Sequence, residues 1–563
     1  MPVIHVGGLT PRDITRLARI LTILGRHGFG EVVQRLRLHE SLPMRVLKGL
    51  RLISNQEVVS LSLGIRLRNA LTELGPTFVK LGQILSTRPD ILPAEICMDL
   101  SDLQDKVDPF PIEQVRTIFL EELGRLPEDV FQRFDDQPAA AASLSQVHKA
   151  LLHDSRTVAV KIQRPGARAK IEADLGLLRF AAQWIHDHAS LDTWIDPIAL
   201  VSEFQRSIRR ELNFQNELRH IQCFRKNFDR VPTVHVPDVF KEFSSQRILT
   251  MEWIDGTSVD ELAELKRMGM DLPRIALNGA RAVLKQIFQD GFFHADPHPG
   301  NIFILPGELV CFLDYGMAAS LDPADADAIA DIIAALFSKN ASRIAKVILR
   351  VTESQMKLDR AALERDIREY LFLEADEVIK GMRFGQGLRQ VTDLMHQHSL
   401  QFPPRFTLLL KSLATIERVG HELDPDFDMV PVTRPYVTRL IKKRYSLKRI
   451  LTDLRETLAE AFLLGKNLPG EVREIFTLLR QGDLRVAFQH RGLEELIHVM
   501  DRASNRIAFS VIIGALIVGS SLVMHASRGP TIWGAPALGL IGYFVAALFG
   551  IWLVISIIRS RKL

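Results

Sequence analysis

Over the first hundred or so residues, apolar positions recur at steps of three and four, the spacing of helices that bury one stripe. Ile14, Leu17, Ile20, Leu21 and Leu24 form the clearest stripe, on a segment that also carries Arg12, Arg16, Arg19 and Arg26. Pro109 and Pro111 close this pattern. Short β-like runs follow at Gln146–Leu152, Thr157–Gln163 and Arg247–Trp253, with a helical stretch, Glu172–Phe228, between the second and the third. The turn signal Ile254-Asp255-Gly256 then opens a region that reads as mostly helical to about residue 500. Two runs interrupt it, Ile302–Leu305 and Leu309–Leu313, and Pro306-Gly307 between them predicts a hairpin. The expectation is an α+β chain: a small strand-rich lobe, then a larger helical lobe, behind a helical N-terminal extension. No internal repeat is visible.

The C-terminal pattern is of another kind. Ile507–Met524 and Leu538–Ile558 carry no charge, and each approaches the length of roughly 20 apolar residues that crosses a hydrocarbon core. Gly529, Pro530 and Pro536 lie in the short loop between them. Arg502 and Arg506 precede the first run and Arg559, Arg561 and Lys562 follow the second, whereas the loop holds only Arg528. Positive residues stay on the cytoplasmic side, so the expectation is a transmembrane hairpin with both ends, and the body, in the cytoplasm of a bacterial inner membrane. A hydrophobic hairpin buried in a soluble core is the alternative. Gly514, Gly519, Gly539 and Gly542 allow close helix approach and so a homodimer, although their spacing is not G-x-x-x-G.

Composition narrows this little. The chain has 563 residues, too many for one core, and a net charge of +4, which gives no case for a nucleic-acid partner. The basic run Lys442, Lys443, Arg444, Lys448 and Arg449 reads as a solvated helix face or as a contact with anionic lipid headgroups. Cys97, Cys223 and Cys311 lie far apart, with neither metal nor disulfide spacing. The N-terminus lacks the continuous apolar stretch of a secretory signal, and Asp13, Glu31 and the scarcity of serine argue against a transit peptide.

The chemistry concentrates in His294-Ala295-Asp296-Pro297-His298-Pro299-Gly300-Asn301. Phosphoryl transfer from ATP needs a carboxylate near the attacking oxygen and oxygen ligands for magnesium. The kinase catalytic loop H-R-D-L-x-x-x-N supplies both, and Asp296 and Asn301 have its spacing. Asp314-Tyr315-Gly316 reads as D-F-G, with the predicted hairpin between it and Asn301, so Asp314 becomes the second magnesium ligand. Val158-Ala159-Val160-Lys161 matches the strand whose lysine reaches the α- and β-phosphates. Its carboxylate partner is expected from the following helix: Glu217, with Glu203 and Glu211 as alternatives. Asp296 is the candidate catalytic residue, and ATP and Mg2+ are the expected cofactors. Each motif alone is weak; the order and intervals together are specific.

Departures from protein kinases are equally informative. In place of the glycine-rich loop stands a run that includes Ala140, Ala141, Ala142, Ser143 and Val147, whose small side chains permit close approach to nucleotide but resist positive φ. A helix start is the alternative reading of this run. Ala295 replaces the arginine of H-R-D, no A-P-E follows Asp314, and helix is expected to resume by about Pro323.

The alanine-rich loop, H-x-D-P-H-P-G-N and Lys80-Leu81-Gly82-Gln83, a K-x-G-Q motif, together resemble the UbiB/AarF family of atypical kinases and ATPases linked to ubiquinone biosynthesis. The resemblance covers roughly residues 10 to 440, and the C-terminal hairpin is similar to that of bacterial members. It implies a bilobal protein-kinase-like fold whose N-terminal extension covers the active site, with Lys80 and Gln83 where a kinase would accept protein substrate. It also implies a regulatory E-x-D motif at Glu211-Leu212-Asn213, where Asn213 departs from the family and removes one carboxylate. The expected segments are 1–110 extension, 111–255 N-lobe, 256–440 C-lobe, 441–505 amphipathic linker and 506–563 transmembrane hairpin. The function implied is a membrane-anchored ATPase or small-molecule kinase supporting quinone biosynthesis, with membrane lipids, quinone intermediates and quinone-biosynthesis enzymes as partners. An atypical protein kinase and a nucleotide-gated scaffold are the rival readings.

Overall fold

The computed structural model describes residues 10–30, 61–86, 88, 91–103, 107–188, 196–352, 359–373, 394–395, 397–398, 400, 403–444, 455, 493–526, 530–532 and 535–559. By internal contacts the chain divides into two units, Met1–Thr452 and Asp453–Leu563.

The first unit begins with the stripe helix, Pro11–Leu24. Its start is fixed by a capping box in which Asp13 accepts the Thr10 N–H at 2.8 Å and Thr10 accepts the Asp13 N–H at 3.3 Å. Leu17, Ile20 and Leu21 bury against Leu71, Leu74 and Phe78 of helices Leu63–Leu74 and Pro76–Leu85. Between those helices the chain turns at Gly75, whose φ of 101° is open to glycine, and Pro76 restarts the helix at its first position. Arg16 seats this extension on the N-lobe: its guanidinium donates to buried Asp174 at 2.8 and 3.1 Å and to the Leu74 carbonyl at 2.9 Å. Thr77 donates to the same carboxylate at 2.8 Å.

The N-lobe is an antiparallel sheet in which Arg133–Phe134, Ser145–Leu151, Thr157–Gln163 and Ile248–Glu252 are successive neighbours and Ala140–Ala141 pairs with the second. The three predicted runs are the three longest of these strands. Strand alternation sorts the Thr157–Gln163 residues. Val158, Val160 and Ile162 face an aromatic cluster with Phe110, Phe119 and Phe131, which leaves Ala159 and Lys161 on the opposite face. Helix Ile112–Leu123, which follows Pro111, packs into the same cluster.

The C-lobe core centres on helices Leu272–Lys285 and Pro404–Leu423. The predicted hairpin is Ile302–Leu305 with Leu309–Phe312, and Gly307 turns it at φ 80°. Sequence patterning missed Val234–His235, Thr257–Ser258, Phe292–His294 and Ala318–Ser320, because two- and three-residue strands carry no readable alternation. Helix resumes at Pro323, as expected.

In the second unit, helices Leu493–Ala526 and Ala537–Arg559 pack against each other. The first begins inside the stretch read as linker; residues 456–492 of that stretch, and Lys448 and Arg449 of the basic run, lie outside the described residues. Ser504–His525 and Ala537–Val554 are long and apolar enough to cross a membrane, and most of their side chains are exposed. A side chain at Gly539 would collide with Met524, and one at Gly542 with Ser520, so these glycines serve the packing within the hairpin. Gly514 and Gly519 have open space beside them.

Candidate active site

Between the lobes of the first unit lies a cleft of about 2140 Å³, lined by the residues expected to serve nucleotide, metal, catalysis and regulation, Lys161, Glu217, Asn301, Asp314, Asp296, Lys80, Gln83 and Glu211 among them; Glu203 and Asn213 do not line it. Ala159 and Val147 lie on the sheet side, Phe303 and Leu313 on the hairpin side, and Met251–Ile254 on the connection between lobes. This is an apolar slot with a polar end.

At that end Lys161 Nζ lies 2.9 Å from both carboxylate oxygens of Glu217 and 3.8 Å from Asp314 Oδ1. Of the three candidate partners the structure selects Glu217. Helix Phe214–Phe228 buries Glu217, Leu218, Ile221 and Phe224 as one face, which aims the carboxylate into the lobe interface. Glu203 pairs instead with Arg88 at 2.7 Å, and Glu211 with Lys80 at 2.7 Å. Burial raises the Glu217 pKa against the pull of Lys161. Burial also works against the Lys161 charge, but Glu217 and Asp314 overcome it and raise the pKa. Lys161 lowers Asp314 to about 2 despite burial, helped by the Gly316 N–H at 2.9 Å and the charge of Lys80.

Two histidines that sequence reasoning assigned no role hold this arrangement together. His294 Nδ1 accepts the Asp296 N–H at 3.1 Å, which leaves Nε2–H to donate to the Asp314 carbonyl. The catalytic loop and the Asp-Tyr-Gly turn are thereby joined through one ring. His220 donates through Nδ1 to the Tyr315 carbonyl at 2.8 Å, and it stands one turn beyond Glu217 on the same helix. Burial lowers the pKa of both, consistent with neutral rings. The i, i+3 spacing of Glu217 and His220 was a readable signal only once Glu217 was known to face the site.

The alanine-rich segment is a strand and turn, which excludes the helix-start reading. Ala140 and Ala141 pair with Val147 and Gln146, and the turn closes through the Ala142 N–H to Ser145 carbonyl bond of 2.7 Å. No residue from Ala139 to Leu144 has positive φ, so alanine suits every position. Ser143 Oγ is buried beside the cleft without a hydrogen-bond partner. Such an orphaned hydroxyl fits a loop that closes over phosphate oxygens. The residues expected to hold magnesium fit as well. Asp314 Oδ1 accepts the Gly316 N–H, leaving Oδ2 available, and Asn301 lines the same cleft. Magnesium needs few protein ligands when substrate phosphates supply others.

Ala295 lies in the C-lobe core at 1% exposure, where the kinase arginine would not fit. The contact expected to weaken at Asn213 is replaced by another. Its side chain accepts the Gln215 N–H at 3.1 Å, capping the Glu217 helix, while Lys80 grips Glu211. Gln83 ties its helix to the Leu103 carbonyl at 3.3 Å. One group at the site had no sequence signal at all: Lys411, whose Nζ lies 2.8 Å from Asp296 Oδ1.

Residues 102–348 match the ABC1 atypical kinase-like domain, 368–428 the UbiB helical domain, and 491–559 the ABC1/UbiB kinase-like C-terminal domain. A probable protein kinase UbiB from Xylella fastidiosa (strain M12) is 33% identical over 88% of this chain and 92% of its own. An uncharacterized protein in the hydrogenase 1 5' region of Clostridium pasteurianum is 32% identical over 98% of this chain and 100% of its own. The solved Rv3197–erythromycin complex from Mycobacterium tuberculosis covers 63% of this chain and 90% of that one, at 24% identity and a TM-score of 0.45. With its match to the ABC1 kinase-like domain and its 33% identity to a probable UbiB kinase over most of both chains, the chain belongs to the UbiB/ABC1 family of atypical kinase-like proteins.

Proposed function

We propose that the chain binds Mg-ATP in the interlobe cleft and transfers the γ-phosphoryl group to water or a small molecule, at a membrane surface, in support of isoprenoid quinone (ubiquinone) biosynthesis. The observation that carries this is the meeting of Lys161, Glu217, Asp314, Asn301 and Asp296 on one cleft. In this reading Lys161, held by Glu217, positions the α- and β-phosphates, and the alanine-rich turn closes over them. Asn301 and Asp314 hold magnesium, which would neutralise charge on the phosphates when bound. Asp296, its backbone set by His294, orients the acceptor oxygen and takes its proton.

Lys80, paired to Glu211 on the cleft wall, favours a small acceptor over a peptide. The apolar hairpin helices fit an anchor in the cytoplasmic membrane, which brings the body near lipid-soluble intermediates. The link to quinones rests on family membership.

Magnesium-dependent ATP hydrolysis by the full chain in anionic and neutral vesicles tests the proposal. Asp314→Asn is expected to lower turnover at least about 10³-fold while the protein stays folded. Labelled phosphate appearing on added protein would favour the protein-kinase reading. Nucleotide binding without turnover under all conditions would leave the scaffold.

A further inference from the structure

The catalytic loop, His294 to Asn301, contains no lysine or arginine. Phosphoryl transfer develops charge on the oxygens of the moving group, and its acceptor side commonly needs a cation as well as a carboxylate. In this chain a cation is present there, but it comes from far along the sequence. Lys411 stands on helix Pro404–Leu423, lines the cleft, and pairs with Asp296 at 2.8 Å. Its side chain remains 26% exposed, so the ammonium can turn towards a ligand in the cleft.

The helix does not need this pair to stay in place. Phe406, Leu409, Leu413 and Ile416 bury in the C-lobe core. Ser412, the next residue, donates to the His294 carbonyl at 2.9 Å in a buried bond, and Arg405 pairs with Asp325. Ser412 therefore sets the register of the helix against the catalytic loop, and Lys411 is delivered to Asp296 as a consequence. The Lys411 charge is left over from the packing.

We propose that Lys411 is the acceptor-side cation of the site, shared between the Asp296 carboxylate and the γ-phosphoryl group of bound ATP. This rests on the nucleotide reading above. In the step served, the bond from the γ-phosphorus to the β–γ bridging oxygen breaks and its electron pair leaves with ADP. A bond forms from that phosphorus to the acceptor oxygen, whose proton passes to Asp296. Lys411 holds the carboxylate towards the acceptor and balances charge on the transferred oxygens; it is not consumed. The C-terminal helical segment thereby contributes to the transfer step a group that the kinase-like core lacks.

The test uses the full chain in vesicles and compares affinity for Mg-ADP with that for the β,γ-imido analogue of Mg-ATP. Lys411→Met is expected to lower analogue affinity about 10-fold with ADP affinity unchanged, and kcat about 10²-fold, with Lys411→Arg recovering part of both. The same comparison in the Asp296→Asn background separates the roles: a γ-phosphoryl contact still costs analogue affinity there, whereas a cation that served only Asp296 costs none and overturns the proposal. The double variant removes both members of the pair, so it keeps the measurement available where Lys411→Met alone does not fold. A Lys411→Met protein with wild-type kcat and wild-type discrimination between the nucleotides also refutes it. Wild-type protein that binds neither nucleotide would instead bring down the nucleotide reading, and this inference with it.

Discussion

The two sides of the cleft are built on different plans. On the nucleotide side, Lys161, Glu217 and Asp314 form one charged cluster within the kinase-like core, and His220 and His294 brace the turn that carries Asp314. On the acceptor side, both ion pairs reach outside that core: Lys80 of the extension meets Glu211, and Lys411 of the helical segment meets Asp296. The nucleotide side is cross-bonded around one buried carboxylate, Glu217 at 5% exposure, with Lys161 and Asp314 themselves open to the cleft, while the acceptor-side pairs have no buried member and side chains 18% to 32% exposed.

The sharpest way to break this contrast is at Glu217. Glu217→Gln leaves the Lys161 ammonium poorly compensated in a buried setting, and is expected to cost about 3 kcal/mol of stability. Denaturant unfolding reads this directly; an unchanged midpoint would mean that Asp314 alone suffices for Lys161.

Acid probes the histidine brace. Burial lowers the pKa of His220 and His294 below 6.5, so the unfolded chain takes up protons at pH values where the folded chain does not. Stability is therefore full above pH 6.5 and falls below it, by about 1.4 kcal/mol per pH unit for each histidine still neutral in the fold. Hydrogen exchange is expected to rise at helix Phe214–Phe228 and the Asp314 turn before it rises in the extension. The reverse order would remove the histidines from the brace.

Tyr315 tests how far the D-F-G likeness goes. Its ring is fully buried against Phe224, 5.1 Å between centroids, and its hydroxyl has no partner. Tyr315→Phe removes an unsatisfied buried group and is expected to stabilise the protein by about 1 kcal/mol without altering nucleotide affinity. A loss of stability would show that the hydroxyl has a role.

The smallest effect belongs to the extension. Lys80→Met breaks a half-open ion pair, worth about 0.5 kcal/mol, since Arg16 and Thr77 still seat the extension on Asp174. A thermal scan should barely move; a large drop would mean that Lys80 bears the docking.

Much of this site was legible because its nucleotide side is written in short motifs. The Lys161 strand, the Asp296 loop and the Asp314 turn each keep local spacing, and local spacing is preserved by strand pairing and hairpin geometry. Glu217 was the expected partner of Lys161, but Glu203 and Glu211 stayed open as alternatives, because the choice depends on which helix face buries. The alanine run was ambiguous for a like reason: alanine is at home in a helix, and only pairing with Gln146 and Val147 makes it a strand. The Asn213 departure looked like a loss until the helix cap it makes was visible.

The sequence by itself determined the lobes, the order of the kinase-like motifs, the apolar hairpin and the likeness to the family, since all of these rest on periodicity or on residues close along the chain. Tertiary structure alone decided the partner of Lys161, the brace of His220 and His294, and the arrival of Lys411 at Asp296. Those contacts join segments far apart in sequence. Which side chains meet there is set by how buried helix faces pack, and no local pattern encodes that.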